Sequence, residues 1–158
     1  DVSLVGSEMC IRDSIKSVAV IGAGVMGAQL AALFANKGIR SYLYDITTDT
    51  ATLGKDRLKI IKPPPLEQLE NIELIQACSL DKDIHKIKKV DWIIEAVPEK
   101  IEIKIEVFKK ISPYIHKRAI LSSNTSGITL NELIKNIPET AMKIFLIIEE
   151  SVFTIMQI

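Results

Sequence analysis

The segment SVAVIGAGVMGAQLAALFANKG, residues 17–38, decides the fold. Ser17–Ile21 is a short, nearly continuous apolar run, as expected of a strand covered on both faces. Gly22–Gly27 interrupts it, and Leu30, Leu33 and Phe34 then recur at helical spacing across Ala28–Lys37. Gly38 stands where a helix stops. Ser41–Asp45 (SYLYD) reads as the next strand. Strand, helix and strand within about thirty residues make a right-handed parallel crossover.

The loop Gly22-Ala23-Gly24-Val25-Met26-Gly27 carries the first chemistry. A lone G-x-G-x-x-G pattern is weak. This one follows a strand, opens a helix, and has an acid, Asp45, 18 residues beyond Gly27. Gly22 allows the turn out of the strand, Gly24 leaves room for a pyrophosphate, and Gly27 lets helix and strand pack closely. Val25 and Met26 complete the loop at a helix N-terminus, whose free N–H groups and positive dipole end suit phosphates. The carboxylate of Asp45 can accept hydrogen bonds from adenine ribose hydroxyls. Ile46-Thr47-Thr48 offers no arginine for a 2′-phosphate, so NAD is expected rather than NADP. FAD shares the fingerprint and is the competing dinucleotide at this point.

The rest of the chain fits the same scheme. A helix is expected over Thr48–Ile61, ended by Pro63, Pro64 and Pro65. Short strands are expected at Leu74–Cys78, Asp91–Val97 and Ala119–Ser122, and helices at Asp81–Lys88 and Glu99–Ile111, the latter amphipathic through Ile101, Ile105, Phe108 and Ile111. Thr129 and Glu132 form a candidate capping box for a helix through Lys135. The expected class is α/β: a Rossmann-like, doubly wound, mainly parallel sheet, cut before its last strands and any helical C-terminal domain.

Composition excludes several classes. With 158 residues, one domain is expected. At 47% hydrophobic residues the chain is no disordered tail. Twenty basic residues balance twenty acidic ones, which argues against a nucleic-acid partner. No run approaches the roughly 18 apolar residues of a membrane span. Cys10 and Cys78 are far apart, and no signal peptide is evident, so a reducing, cytoplasmic setting is expected. Residues 1–14 (DVSLVGSEMCIRDS) show no period; MCIRDS looks like translated sequencing adapter, and the segment is read as a non-native or disordered leader.

Taken together, IGAGVMGAQLAALFANKG, YLYDI, KPPPL, DWIIEAVPEKIEIKIEVF and ILSSNTSG resemble the NAD-binding domain of L-3-hydroxyacyl-CoA dehydrogenases over residues 15–146. KPPPL and SSNTSGI look most like the large bacterial β-oxidation proteins. The resemblance implies reversible hydride transfer between an L-3-hydroxyacyl-CoA and NAD, an acyl-CoA substrate, and a full-length protein that is usually a dimer. It implies that Ala96 and Val97 lie along the cofactor and that Glu99 and Lys104 contact its nicotinamide half. It implies that Asn124 shapes the nicotinamide pocket and that Ser126 hydrogen-bonds the substrate's 3-oxygen. From pattern alone Lys104 is a solvated lysine on the polar side of its helix, one turn from Lys100, and residues 122–127 are a polar turn.

The resemblance then breaks. The family's general base is a histidine in a segment like F-L-G-x-H-F-F-N-P-P. This chain matches Phe145-Leu146 and continues Ile147-Ile148-Glu149-Glu150-Ser151-Val152. Residues 147–158 are read as frame-shifted or divergent. His116, in a turn expected at the opposite end of the sheet, and His85, in a charged helix, are poor substitutes; nothing places Glu149 or Glu150 near a substrate. The fragment itself is therefore expected to bind NAD without turnover. A non-catalytic NAD-binding module and another Rossmann 3-hydroxyacid dehydrogenase are the alternatives; a flavoprotein fits the second half worst. No metal site is expected.

Overall fold

The computed structural model describes residues 15–125, 127, 128, 133, 135 and 145–147. The expected leader, Ser126, the capping box of Thr129 and Glu132, and residues 148–158 lie outside them.

Six strands form one sheet: β1 (Ser17–Ile21), β2 (Arg40–Asp45), β3 (Ile75–Ser79), β4 (Trp92–Glu95), β5 (Ile120–Ser123) and β6 (Phe145–Ile147). Their order is β3-β2-β1-β4-β5-β6, and every pairing is parallel. Among the described residues, three α-helices are delimited between the strands: α1 (Val25–Asn36), α2 (Thr48–Arg57) and α3 (Ile101–Ile111). This is the doubly wound, Rossmann-like fold. Strand β6 was not among the expected elements; the sheet extends one strand further than sequence periodicity indicated.

Alternation along β1 separates two cores. Val18 and Val20 face a cluster with Leu30, Ala31, Phe34 and Ala35 of α1 and Ala51 of α2. Ala19 and Ile21 face the other side, with Val107, Phe108 and Ile111 of α3. Both faces of the sheet are thus covered, which is why its strands read as continuous apolar runs. Trp92 sits in the first core, its ring edge-on to Phe34 at 5.5 Å between centroids. Its Nε1–H donates to the buried Ser122 hydroxyl at 2.8 Å.

Several boundaries differ from expectation. Helix α1 starts at Val25 inside the glycine loop, because Gly24 serves as its N-cap. Helix α2 ends at Arg57 in a turn over Leu58–Ile60, before the prolines are reached. Its start is set by Thr47, whose hydroxyl accepts the Thr50 N–H at 3.2 Å. The charged helix expected at residues 81–88 is a 3₁₀ segment, Ile84–Lys89, and a second one covers Leu69–Leu74. Short segments with one or two buried apolar residues give too little face to sustain α-helical turns.

Strand order positions the site. From β1 the chain runs outward to β2 and β3, then crosses back to β4 and on to β5 and β6. The order reverses between β1 and β4, and in open parallel sheets the ligand crevice lies outside the C-terminal ends of the strands at that reversal.

Candidate functional site

One row of residues leaves the sheet together. Ile21 stands beside Tyr44 and Glu95, and Glu95 beside Ser123. The next residue of each strand, Gly22, Asp45, Ala96 and Asn124, therefore opens onto the crevice. Three further backbone bonds hold the row: Gly22 N–H to Tyr44 O at 2.8 Å, Ala96 N–H to Ile21 O at 2.8 Å, and Asn124 N–H to Glu95 O at 2.7 Å. Four of the residues singled out from sequence on different strands thus meet at one edge.

Each loop glycine has a distinct surrounding. Gly22 has φ +110°, and a Cβ there would lie 2.6 Å from the Ala96 carbonyl oxygen. A Cβ on Gly27 would lie 1.8 Å from Gly22 O, so close approach of α1 to β1 demands glycine. A Cβ on Gly24 meets nothing within 4 Å. The bare space is on the crevice side, at the N-terminus of α1, where the first-turn N–H groups have no intrahelical partner. No acidic side chain lies in that first turn, and the flanking Val25 and Met26 are exposed. Such an open helix N-terminus has the shape and polarity to take an anionic group such as a pyrophosphate.

Asp45 closes the cradle from β2. One carboxylate oxygen accepts the Ala23 N–H at 2.9 Å, and the other accepts the Ile46 N–H at 2.8 Å. Asp45 therefore braces the glycine loop, and its remaining lone pairs are available to hydroxyl donors. Gly54 of α2 braces the same loop from outside: a Cβ there would lie 2.4 Å from Ala23 O. Sequence reading missed Gly54, because a glycine within a helical stretch shows what it packs against only in three dimensions.

The other half of the crevice corrects an expectation. Lys104 is not on the polar side of α3; it is fully buried. It shares a stripe with Val107, Phe108 and Ile111, at the i, i+3, i+4, i+7 spacing of the core face. That spacing was the available signal. Its ammonium donates to both oxygens of Glu95, each at 2.9 Å, and pairs with Glu99 Oε2 at 3.2 Å. Glu95, also fully buried, accepts in addition from the Val97 N–H at 2.7 Å and from the Ser123 hydroxyl. Sequence reading passed over Glu95 inside an apolar strand.

Glu99 stands at the rim, its side chain 39% exposed. Oε1 accepts the Gly127 N–H at 3.0 Å and the Thr125 hydroxyl. Burial pushes its carboxyl upward, but the bonds from Thr125, Gly127 and Lys104 outweigh that and hold it at about 2. The Thr125 hydroxyl also accepts the Ile128 N–H at 3.3 Å. The segment expected as a polar turn is thus fastened to the Glu99–Lys104 pair. Ser126 falls within it but outside the described residues.

The histidines are elsewhere. His116 lines a cleft with Val90, Asp91, Arg118 and Ile120, at the N-terminal ends of β4 and β5. His85 is exposed in the 3₁₀ segment before β4. Among the described residues, no group of three or more histidine, cysteine or carboxylate side chains is arranged for a metal ion, and no helix is long and apolar enough to cross a membrane.

The residue pattern of the family described as 3-hydroxyacyl-CoA dehydrogenase, NAD binding domain, matches residues 17–147. The chain belongs to that family. The chain is 37% identical over 144 residues to a fatty acid oxidation complex trifunctional enzyme of Rickettsia felis, covering 87% of the chain and 20% of that protein. It is 40% identical over 124 residues to a protein of Deinococcus radiodurans named 3-hydroxyacyl-CoA dehydrogenase, covering 74% and 36%. Among solved structures it resembles (S)-3-hydroxybutyryl-CoA dehydrogenase from Ralstonia eutropha, with a TM-score of 0.67 at 25% identity over 85% of this chain and 48% of that one. The 3-hydroxybutyryl-CoA dehydrogenase of Escherichia coli also aligns at TM-score 0.67, with 26% identity over 80% and 28%. The chain spans a fifth to about a third of the length of these two curated relatives. The cofactor that its family binds is NAD, and the Gly24 cradle with Asp45 at its ribose side fits that group.

Proposed function

We propose that this chain is the cofactor-binding part of a protein that interconverts L-3-hydroxyacyl-CoA and 3-ketoacyl-CoA by hydride transfer in fatty-acid β-oxidation. The observation that carries the reading is the open cradle at Gly24, set at the strand-order reversal and bounded by Asp45. NAD supplies the hydride acceptor at its nicotinamide carbon.

The chain's own residues bind and orient. N–H groups of Gly24–Gly27 hold the pyrophosphate, with Val25 and Met26 flanking it, while Gly22 keeps the loop turned toward it. Asp45 holds the adenine ribose hydroxyls and disfavours a 2′-phosphate by charge. Ala96 and Val97 lie along the cofactor, and Glu99, fixed by Lys104, meets its nicotinamide half. Asn124 shapes the pocket, and Ser126 hydrogen-bonds the substrate's 3-oxygen. The general base is not among the described residues: His116 is at the far end of the sheet and His85 is on the surface before β4. The 158-residue chain thus binds NAD without turning over. An acyl-CoA substrate is supported by the relatives' names; a dimeric natural-length protein and a cytoplasmic setting complete the reading.

Calorimetric titration of the chain with NAD and NADP tests it. Binding of NAD at least about tenfold tighter than NADP is expected from the charge repulsion at Asp45. Equal affinity overturns the cofactor assignment, and NADH formation from L-3-hydroxybutyryl-CoA by this chain alone overturns the missing-base reading. The natural-length protein is expected to form NADH from that substrate; failure there refutes the reaction class.

A further inference from the structure

Glu95, Lys104 and Glu99 form a triad of two carboxylates and one ammonium. Lys104 Nζ directs its protons at Glu95 Oε1, Glu95 Oε2 and Glu99 Oε2, at 2.9, 2.9 and 3.2 Å. Every group bonded to the Glu95 carboxylate is a donor: the ammonium, the Val97 N–H and the Ser123 hydroxyl. The ammonium and the N–H can only donate, and between them they reach both oxygens, the arrangement an ionised carboxylate accepts. Glu99 likewise collects the Thr125 hydroxyl and the Gly127 N–H. The three side chains therefore sum to one negative charge. Two of them are fully buried, where bulk water screens charge least.

The position of that charge is defined by the fold. Glu95 is the last residue of β4, beside Ile21 of β1 and Ser123 of β5. Glu99 and Lys104 reach the same point from the segment following β4 and from α3. The triad underlies the β4–β5 side of the crevice, across from the pyrophosphate cradle at Gly24. In the dinucleotide reading this is the nicotinamide side. The oxidised nicotinamide ring carries a positive charge and the reduced ring does not. A fixed negative charge beside the ring stabilises the first relative to the second.

We infer that the Glu95–Lys104–Glu99 triad tilts this site toward the oxidised cofactor, with Glu95 as a positioning residue that buries the charge and fixes Lys104 against Glu99. The inference rests on the cofactor reading above. It adds to cofactor recognition a preference between oxidation states, set by a carboxylate that acts through Lys104, the Val97 N–H and the Ser123 hydroxyl.

The test is the ratio of NADH to NAD dissociation constants for the full 158-residue chain, both measured by calorimetry near neutral pH. Glu95→Gln keeps the shape and removes the charge. The ratio is expected to move at least about fivefold in favour of NADH, the scale of one unit charge acting through partly screened protein. Glu70→Gln removes an equal charge from an exposed position before β3, at the opposite end of the sheet, and is expected to leave the ratio unchanged. If Glu95→Gln fails to fold, as its melting curve will show, Glu99→Gln at the rim removes the same charge and takes its place with the same expected direction. A chain that binds neither nucleotide refutes the cofactor reading, and the inference with it. A chain that binds both, with a ratio that is unmoved or moves toward NAD in the folded variant, overturns the inference alone. An equal shift in Glu70→Gln overturns it too, because net charge rather than the triad would then be the cause.

Discussion

Two alanine substitutions three residues apart should separate binding from stability. In Gly24→Ala the new methyl group meets nothing within 4 Å. The backbone at Gly24, φ −65° and ψ −173°, is open to alanine. Losing glycine at an N-cap costs under about 1 kcal/mol, and the stiffer unfolded chain returns about 0.4–1 kcal/mol, so stability should change little. The methyl group nevertheless occupies the space that a pyrophosphate must enter to reach the α1 N–H groups. Weakening even one charge-assisted bond there, worth about 1.5–3 kcal/mol, lowers NAD affinity by about tenfold or more. Gly27→Ala behaves differently. Its methyl group would stand 1.8 Å from Gly22 O, and a backbone oxygen cannot swing aside as a side chain can. Helix α1 must move away from β1, at an overpacking cost of about 1–3 kcal/mol or more. The cradle moves with it, so both stability and NAD affinity fall. Urea denaturation gives the first quantity and calorimetric titration the second. If Gly24→Ala binds NAD as tightly as the parent chain, the phosphate is not where the cradle places it. If Gly27→Ala is as stable as the parent, the helix–strand contact is wrong.

Three further outcomes follow from the same geometry. Lys104→Met strands the buried Glu95 carboxylate without its ammonium and should cost about 3–5 kcal/mol by urea denaturation, the usual loss when one partner of a buried pair is removed; a loss under about 1 kcal/mol would mean that the pair is solvated. Glu99 is held at about 2, below its unfolded value of 4.5, so its contribution is present above the unfolded value and is lost as pH falls toward 2. The stability gap between the parent chain and Glu99→Gln should accordingly be constant near neutral pH and shrink on acidification, and a gap that widens in acid would refute the assignment. Gly54→Ala drives a methyl group to 2.4 Å from Ala23 O, so a loss of about 1–3 kcal/mol is expected together with weaker NAD binding; unchanged binding would show that α2 does not brace the loop.

Much of the cofactor half was legible in the sequence because its determinants are local. A glycine that must take φ +110°, a helix whose N-terminus must stay uncovered, and an acid at the end of the next strand all declare themselves within a few residues. Strand β4 was recognisable from its apolar run for the same reason, although the expected Asp91–Val97 narrows to Trp92–Glu95. The nicotinamide half was legible only through family resemblance. Asn124 takes its place by pairing beside Glu95, a relation between strands that no window of sequence contains.

The sequence by itself determined the class of fold, the glycine loop and the acid at the end of the second strand, since turn geometry and side-chain periodicity act over short distances. Only the tertiary structure decided which charges are buried. Periodicity assigns a lysine to the water side of a helix because an isolated ammonium cannot be desolvated cheaply. Lys104 escapes that rule because β4 delivers Glu95, and the loop before α3 delivers Glu99, to within 3.2 Å of its nitrogen. Glu95 lies only nine residues before Lys104, but strand and helix belong to different layers, and the two side chains meet only when α3 has packed against the end of β4. The sixth strand, Gly54 against Ala23, and the fastening of Thr125 to Glu99 were decided at that same step.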